Sequence, residues 1–150
     1  MVYTEKRCWV CNAVITWGQS DTACKVQCRS LLYAESYRIE RHKEESYRKN
    51  RPCRLQLGEW AETLRHYKWR CAFCKGPFES LDHFVPVSQG GATRVGNVVP
   101  ACLQCQIAKG GLLPEEVEAI PRDVIERIAR YLQRRAMPQT GKSLPVSRKS

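Results

Sequence analysis

Apolar positions fall at steps of three and four most clearly near the end of the chain. Val117, Ile120, Val124, Ile128 and Leu132 mark one face of a helix, and Arg127, Arg130, Arg134 and Arg135 cover much of its other surface. Pro121 suits the first turn of that helix, where a missing N–H costs nothing. Upstream, the chain has no glycine between Arg29 and Leu57 and is dense in Arg, Lys, Glu and Tyr. This stretch predicts a long helix to about Asn50, a break at Pro52, and a second helix over Glu59 to Lys68. The apolar stripe of the long helix is weak. Leu32 and Ile39, with Tyr33, Tyr37 and Tyr47, are the positions that can pack one face, leaving the rest to solvent or a partner. In "LDHFVPVSQGG", alternation of apolar and polar residues predicts a strand running into a Gly-Gly turn. The final "PQTGKSLPVSRKS" is small, polar and basic, and predicts a disordered tail.

Composition changes this picture at one point, the nine cysteines. The N-terminal "MVYTEKRCWVCNAV" lacks the apolar core of a secretory signal, and no stretch is long and apolar enough to span a membrane. A reducing, intracellular setting is therefore expected, and paired cysteines read as zinc ligands before disulfides. Cys71-x2-Cys74 and Cys102-x2-Cys105 form the stricter set. Two such pairs turned onto one ion give a closed tetrahedral site with no open position, so that zinc would be structural. Cys8-x2-Cys11 and Cys24-x3-Cys28 form a second, looser set, and "ACKVQCRS" resembles the end of treble-clef-like zinc fingers. Cys53 is left over; with no adjacent histidine to activate it, it reads as a packing residue. The net charge of +10 draws polyanions, nucleic acid first, though surplus Lys and Arg also serve solubility.

The densest chemistry lies between the stricter cysteine pairs. Asp82 and His83 are consecutive on the expected strand, and Asn97 follows the Gly-Gly loop just before "VVPAC". Gln106 comes directly after Cys105, and Lys109 lies one helical turn further on. With the "LDH", the "P-x-S-x-GG" turn, the "N-x-V-P-A-C" segment and the "C-x-x-C-x-x-x-K-G" close, residues 71–110 resemble the HNH endonuclease family. The resemblance implies a ββα-metal core and hydrolysis of DNA phosphodiester bonds. It makes His83 the general base, Asn97 the residue that orients the loop carrying the histidine, and Asp82 and Gln106 the ligands of a catalytic Mg²⁺ or Mn²⁺. Lys109 and Arg94 are the candidates for contact with the phosphate backbone.

Two positions depart from the family pattern. Thr93 stands where a histidine or aspartate is frequent, and Gln106 stands where asparagine or histidine is usual. Glutamine offers the same amide oxygen on a stem one methylene longer, and Mg²⁺ demands near-octahedral geometry at about 2.0–2.1 Å.

The expected fold is therefore a small, metal-stabilised α+β protein. It has a zinc finger (1–30), a basic helical connector (31–69), an HNH core of treble-clef-like kind with a C-terminal helix (70–136), and a basic tail (137–150). The expected cofactors are two structural Zn²⁺ ions and one catalytic Mg²⁺ or Mn²⁺. The expected partner is DNA, held through phosphates, with no membrane and no small-molecule substrate. One HNH site cuts one strand at a time, so double-strand cleavage would need a homodimer or a second encounter. A bacterial cytoplasm, or a phage gene acting there, is the default setting. The competing readings are a nucleic-acid binder silenced at Gln106, and a zinc-stabilised interaction module docking through the long helix.

Overall fold

In the computed structural model, residues 4–16, 18 and 20–137 are described. Apart from Met137, the expected tail lies outside them. Helix α1 (Val26–Arg48) ends when Asn50 enters the left-handed region at φ 54° and the Arg51 N–H closes on the Ser46 carbonyl at 2.8 Å. This stop precedes Pro52, which therefore need not break anything. Helix α2 (Leu57–His66) starts with Glu59 Oε1 accepting from the Gln56 N–H at 3.2 Å, and ends where Lys68 and Trp69 both turn to positive φ.

Strands β1 (Ser80–His83) and β2 (Val98–Ala101) pair antiparallel, with Asp82 opposite Val99 and His83 opposite Val98. The strand expected to run into the Gly-Gly turn is only four residues long. Pro86 cannot donate to a ladder, and the chain bends there into a single 3₁₀ turn, Val87–Gln89. Helix α3 (Leu103–Lys109) follows β2 at once, giving a ββα unit. Helix α4 (Arg122–Ala136) closes the described chain. Pro121 sits at its N-cap rather than inside its first turn, and Val117 and Ile120 belong to the segment before it.

The hairpin is sandwiched. Neighbouring strand residues point to opposite faces, and residues directly paired across strands share one. Leu81 and Val98 pack with Ile39, Leu55, Trp60 and Leu64 of the α1–α2 side. Val99 and Ala101 pack with Phe73, Val124, Ile128 and Leu132 of the α4 side. The segment 31–69 is thus built into the core around the hairpin. The buried stripe of α1 runs Cys28, Leu32, Glu35, Ile39 and Ser46. Tyr33, Tyr37 and Tyr47, expected to share that packing, are instead 77%, 65% and 87% exposed. Glu35 is buried because Trp60 Nε1 donates to it at 2.9 Å and Arg38 pairs with it at 2.9 Å. Arg135 of α4 pairs with Glu62 at 2.7 Å and donates to the Glu59 carbonyl at 2.9 Å, so this arginine ties α4 to α2.

Candidate functional site

Two clusters of four cysteines are assembled, Cys8, Cys11, Cys24 and Cys28, and Cys71, Cys74, Cys102 and Cys105. Within each, the four Sγ atoms lie within 4.8 Å of one another. A tetrahedral zinc with Zn–S of about 2.3 Å places its sulfurs about 3.8 Å apart. Cys74 and Cys102 stand at 3.6 Å, Cys11 and Cys24 at 3.5 Å, and Cys24 and Cys28 at 3.9 Å, so both clusters fit that ion. Burial opposes a thiolate at Cys8 and Cys102, but hydrogen bonds from backbone and neighbouring thiols outweigh it, lowering Cys8 to about 6 and Cys102 below its usual value. Other thiols of the clusters shift up. Burial, then hydrogen bonding to Cys8, pushes the Cys28 thiol up to about 12. Burial likewise pushes Cys105 well up. A bound cation removes that penalty. Cys53 stays apart from both clusters, half-buried beside the α1–α2 core and bridged to Thr93.

His83 is the last residue of β1, on the face shared with Val98, and so it looks toward α1. Its Nε2 lies 2.8 Å from Thr93 Oγ1. Ser46 Oγ of α1 reaches the same hydroxyl at 3.4 Å, and the ring of His42 stands edge-on to that of His83 at 5.4 Å between centroids. Burial is the main cause that pushes His83 down to about 4, with the His42 and Lys109 charges adding to it, so the ring is unprotonated at neutral pH. Burial also lowers His42. Sequence reasoning missed His42 and Ser46. Their contact with the site is tertiary, and neither carries a local motif.

Asn97 is buried and fixes the loop after β1 with three hydrogen bonds. Its Oδ1 accepts from the Val85 N–H at 2.8 Å, while Nδ2 donates to the carbonyls of Val85 at 3.1 Å and Ala92 at 2.9 Å. Gly91 lies inside this clamp. A Cβ there would stand 1.8 Å from the Val85 carbonyl oxygen and 2.9 Å from Asn97 Nδ2. Gly91→Ala is expected to push the loop off Asn97, dropping any His83-dependent activity by two orders of magnitude or so while both metal clusters stay loaded. Activity within threefold of wild type at unchanged metal content would show that the loop does not hold the site.

Asp82, on the opposite strand face, is buried with its Oδ2 3.1 Å from Lys109 Nζ, outside hydrogen-bonding geometry. Lys109 Nζ donates to the His83 carbonyl at 2.7 Å and the residue is only 1% exposed. The surface contact with phosphate expected of Lys109 does not suit this placement, since the ammonium is enclosed beside its counter-ion. Burial raises the Asp82 carboxyl above its usual range, with Lys109 opposing. Gln106 is half-buried and lines a cleft of about 600 Å³ between α1 and the ββα unit, together with Arg41, His42, Arg48, Ser80 and Leu81. A smaller cavity against His83 and Thr93 shares His42, Glu45 and Lys49 with this cleft. Arg94 is exposed, one residue beyond Thr93.

Among the described residues no helix is long and apolar enough to cross a membrane. A search of curated proteins found no match. Residues 71–111, which hold the stricter cysteine set, Asp82, His83, Asn97 and Gln106, match the family model described as HNH endonuclease, and an HNH-endonuclease domain therefore occupies this part of the chain.

Proposed function

We propose that this protein is a metal-dependent endonuclease that hydrolyses phosphodiester bonds of DNA, with zinc in both cysteine clusters. The observation that carries the reading is the setting of His83, an unprotonated ring tethered at Nε2 to Thr93, beside a clamped loop, in a small cavity that adjoins an arginine-lined cleft. The imidazole takes a proton from the attacking water as the water oxygen bonds to phosphorus and the bond to the 3′ oxygen breaks. Asn97 holds the loop, and with it the direction of the ring. Asp82 and Gln106 would supply the oxygen donors that a hard cation prefers; Asp82 Oδ2 has no hydrogen bond and is ion-paired with Lys109 at 3.1 Å. A divalent ion held there would stabilise charge on the phosphoryl oxygens.

Nicking of supercoiled plasmid tests this, compared without added divalent metal, with Mg²⁺ and with Mn²⁺. Omission is better than chelation, because a chelator also attacks the cysteine clusters. Wild type is expected to nick only with added metal, and His83→Ala to be slower by about 10²–10⁴-fold. Equal nicking by His83→Ala would remove the base assignment. One observation favours the silent-binder reading, namely that Lys109 already faces the carboxylate of Asp82. Under that reading neither protein cleaves, both bind DNA, and Gln106→Asn becomes the variant to assay next.

A further inference from the structure

The family match begins at residue 71, yet a cleft of the described chain that reaches Gln106 has α1, upstream of that match, as one wall. From α1 it is lined by Arg38, Arg41, Arg48 and Lys49 with His42, Glu44 and Glu45, so cations outnumber carboxylates four to two; Ser80, Leu81 and Gln106 close the other side. Two of these cations are already engaged by the protein. Arg38 pairs with Glu35 and Lys49 with Glu45. Arg41 and Arg48 have no ion-pair or hydrogen-bond partner among the described residues. They lie seven apart, two turns along the same helix face. Tyr37, 65% exposed, lies one turn before Arg41 on that face, and Tyr33, 77% exposed, one turn before Tyr37.

The shape of this opening bears on what enters it. α1 lies across the His83 side of the hairpin, with His42 against the His83 ring and Ser46 near Thr93. His83 lines a separate cavity of about 10 Å³, which shares His42, Glu45 and Lys49 with the cleft. A backbone threaded alone fits a cleft of about 600 Å³ with walls on both sides. A duplex brings its second strand with it, and its major groove alone is about 12 Å wide. Proteins that hold single strands combine a basic groove for the backbone with exposed aromatic rings on which unpaired bases stack. Here the groove adjoins the small cavity at His83 through His42, Glu45 and Lys49, and Tyr37 precedes Arg41 on the same helix face.

We infer that this cleft takes one unpaired nucleic-acid strand, with Arg41 and Arg48 on its phosphates and Tyr37 stacked on a base. The inference deepens the nuclease reading by naming the substrate form, a single strand or a locally opened duplex. It rests on that reading only for nucleic acid being the partner.

Fluorescence anisotropy with one labelled oligonucleotide, used alone and annealed to its complement, tests it in zinc-loaded full-length protein without added Mg²⁺. Wild type binds the single strand at least tenfold tighter than the duplex. Arg41→Gln/Arg48→Gln loses that preference, and the slope of log affinity against log salt becomes shallower by about 1.4, two contacts at about 0.7 each. Arg41→Lys/Arg48→Lys keeps the slope and so controls for folding. Tyr37→Ala weakens single-strand binding about 5- to 150-fold, the range for one lost stack. Arg127→Gln/Arg130→Gln, which thins the basic face of α4, leaves the preference intact. Duplex binding as tight as single-strand binding, loss of binding through the α4 pair instead of the α1 pair, or no binding of either form overturns the inference. Plasmid nicking reads the other proposal separately. A protein that prefers the single strand and never nicks refutes the nuclease alone, and one that nicks but prefers duplex refutes this inference alone.

Discussion

Replacing Cys105 by serine is expected to abolish the cooperative unfolding transition of the ββα unit and its packing on α4, whereas Cys11→Ser should leave that transition standing. The asymmetry follows from where each cluster sits. Cys71 and Cys102 are members of the core that also holds Phe73, Val99, Ala101, Ile128 and Leu132, so an ion held there would anchor both ends of the hairpin to α4. Cys8 and Cys28 belong to a smaller core with Ala23, Leu32 and Ala61, joined to the remainder by Arg65 donating to the Trp9 carbonyl and by Trp69 Nε1 donating to the Val10 carbonyl at 3.2 Å. Structural zinc in small domains contributes about 10–16 kcal/mol of apparent binding free energy, as much as the whole stability of a typical domain at about 5–15 kcal/mol. The hairpin strands are four residues each, and α3 is seven residues long. Elements this short do not persist unsupported. The check is zinc content together with circular dichroism on heating. Wild type should hold two zinc ions per chain and each variant one; Cys105→Ser should have lost its main transition, and Cys11→Ser should retain it. A Cys105→Ser protein that melts cooperatively within a few degrees of wild type would show that the core stands without its metal.

The cysteine clusters were legible because ligand spacing is local, and the α4 face because its apolar residues repeat without interruption. α1 was legible as a helix but not in its orientation. The reason lies in which residues occupy its buried stripe. Glu35 and Ser46 fall in register with Cys28, Leu32 and Ile39, so the stripe exists at full helical period but reads as polar. Both polar residues have partners far away in sequence, Trp60 for Glu35 and Thr93 for Ser46. Exposed tyrosines then looked like the better core candidates. The pairing of His42 with His83 was hidden for the same reason, since it needs the fold before the two rings meet. The burial of Lys109 was hidden because a lysine near a helix end is ordinarily solvated. Nothing local announces that a carboxylate and a carbonyl wait beneath it.

Lys109→Met should destabilise the protein by about 3–5 kcal/mol, the cost of leaving a buried charge without its partner. Lys109 and Asp82 have side chains 1% and 8% exposed and stand 3.1 Å apart, so removing the ammonium strands a carboxylate that water does not reach. It also leaves the His83 carbonyl without its donor at 2.7 Å. The double variant Asp82→Leu/Lys109→Met should recover most of the loss, because well-packed apolar replacements of a buried pair are often neutral or better. Urea unfolding of wild type, both single variants and the double, with zinc in excess, gives the coupling directly. Had Lys109 the surface role read from the sequence, Lys109→Met would leave the urea midpoint unchanged and weaken DNA binding with a shallower salt dependence. The same four proteins bear on Asp82 as a metal ligand. With Lys109 gone, the carboxylate is free to accept a divalent ion, and binding to the folded state alone stabilises it by RT ln(1 + [L]/Kd). Mn²⁺ should therefore raise the urea midpoint of Lys109→Met more than that of wild type and leave the double variant unmoved. Equal shifts in Lys109→Met and the double variant would place the ion elsewhere.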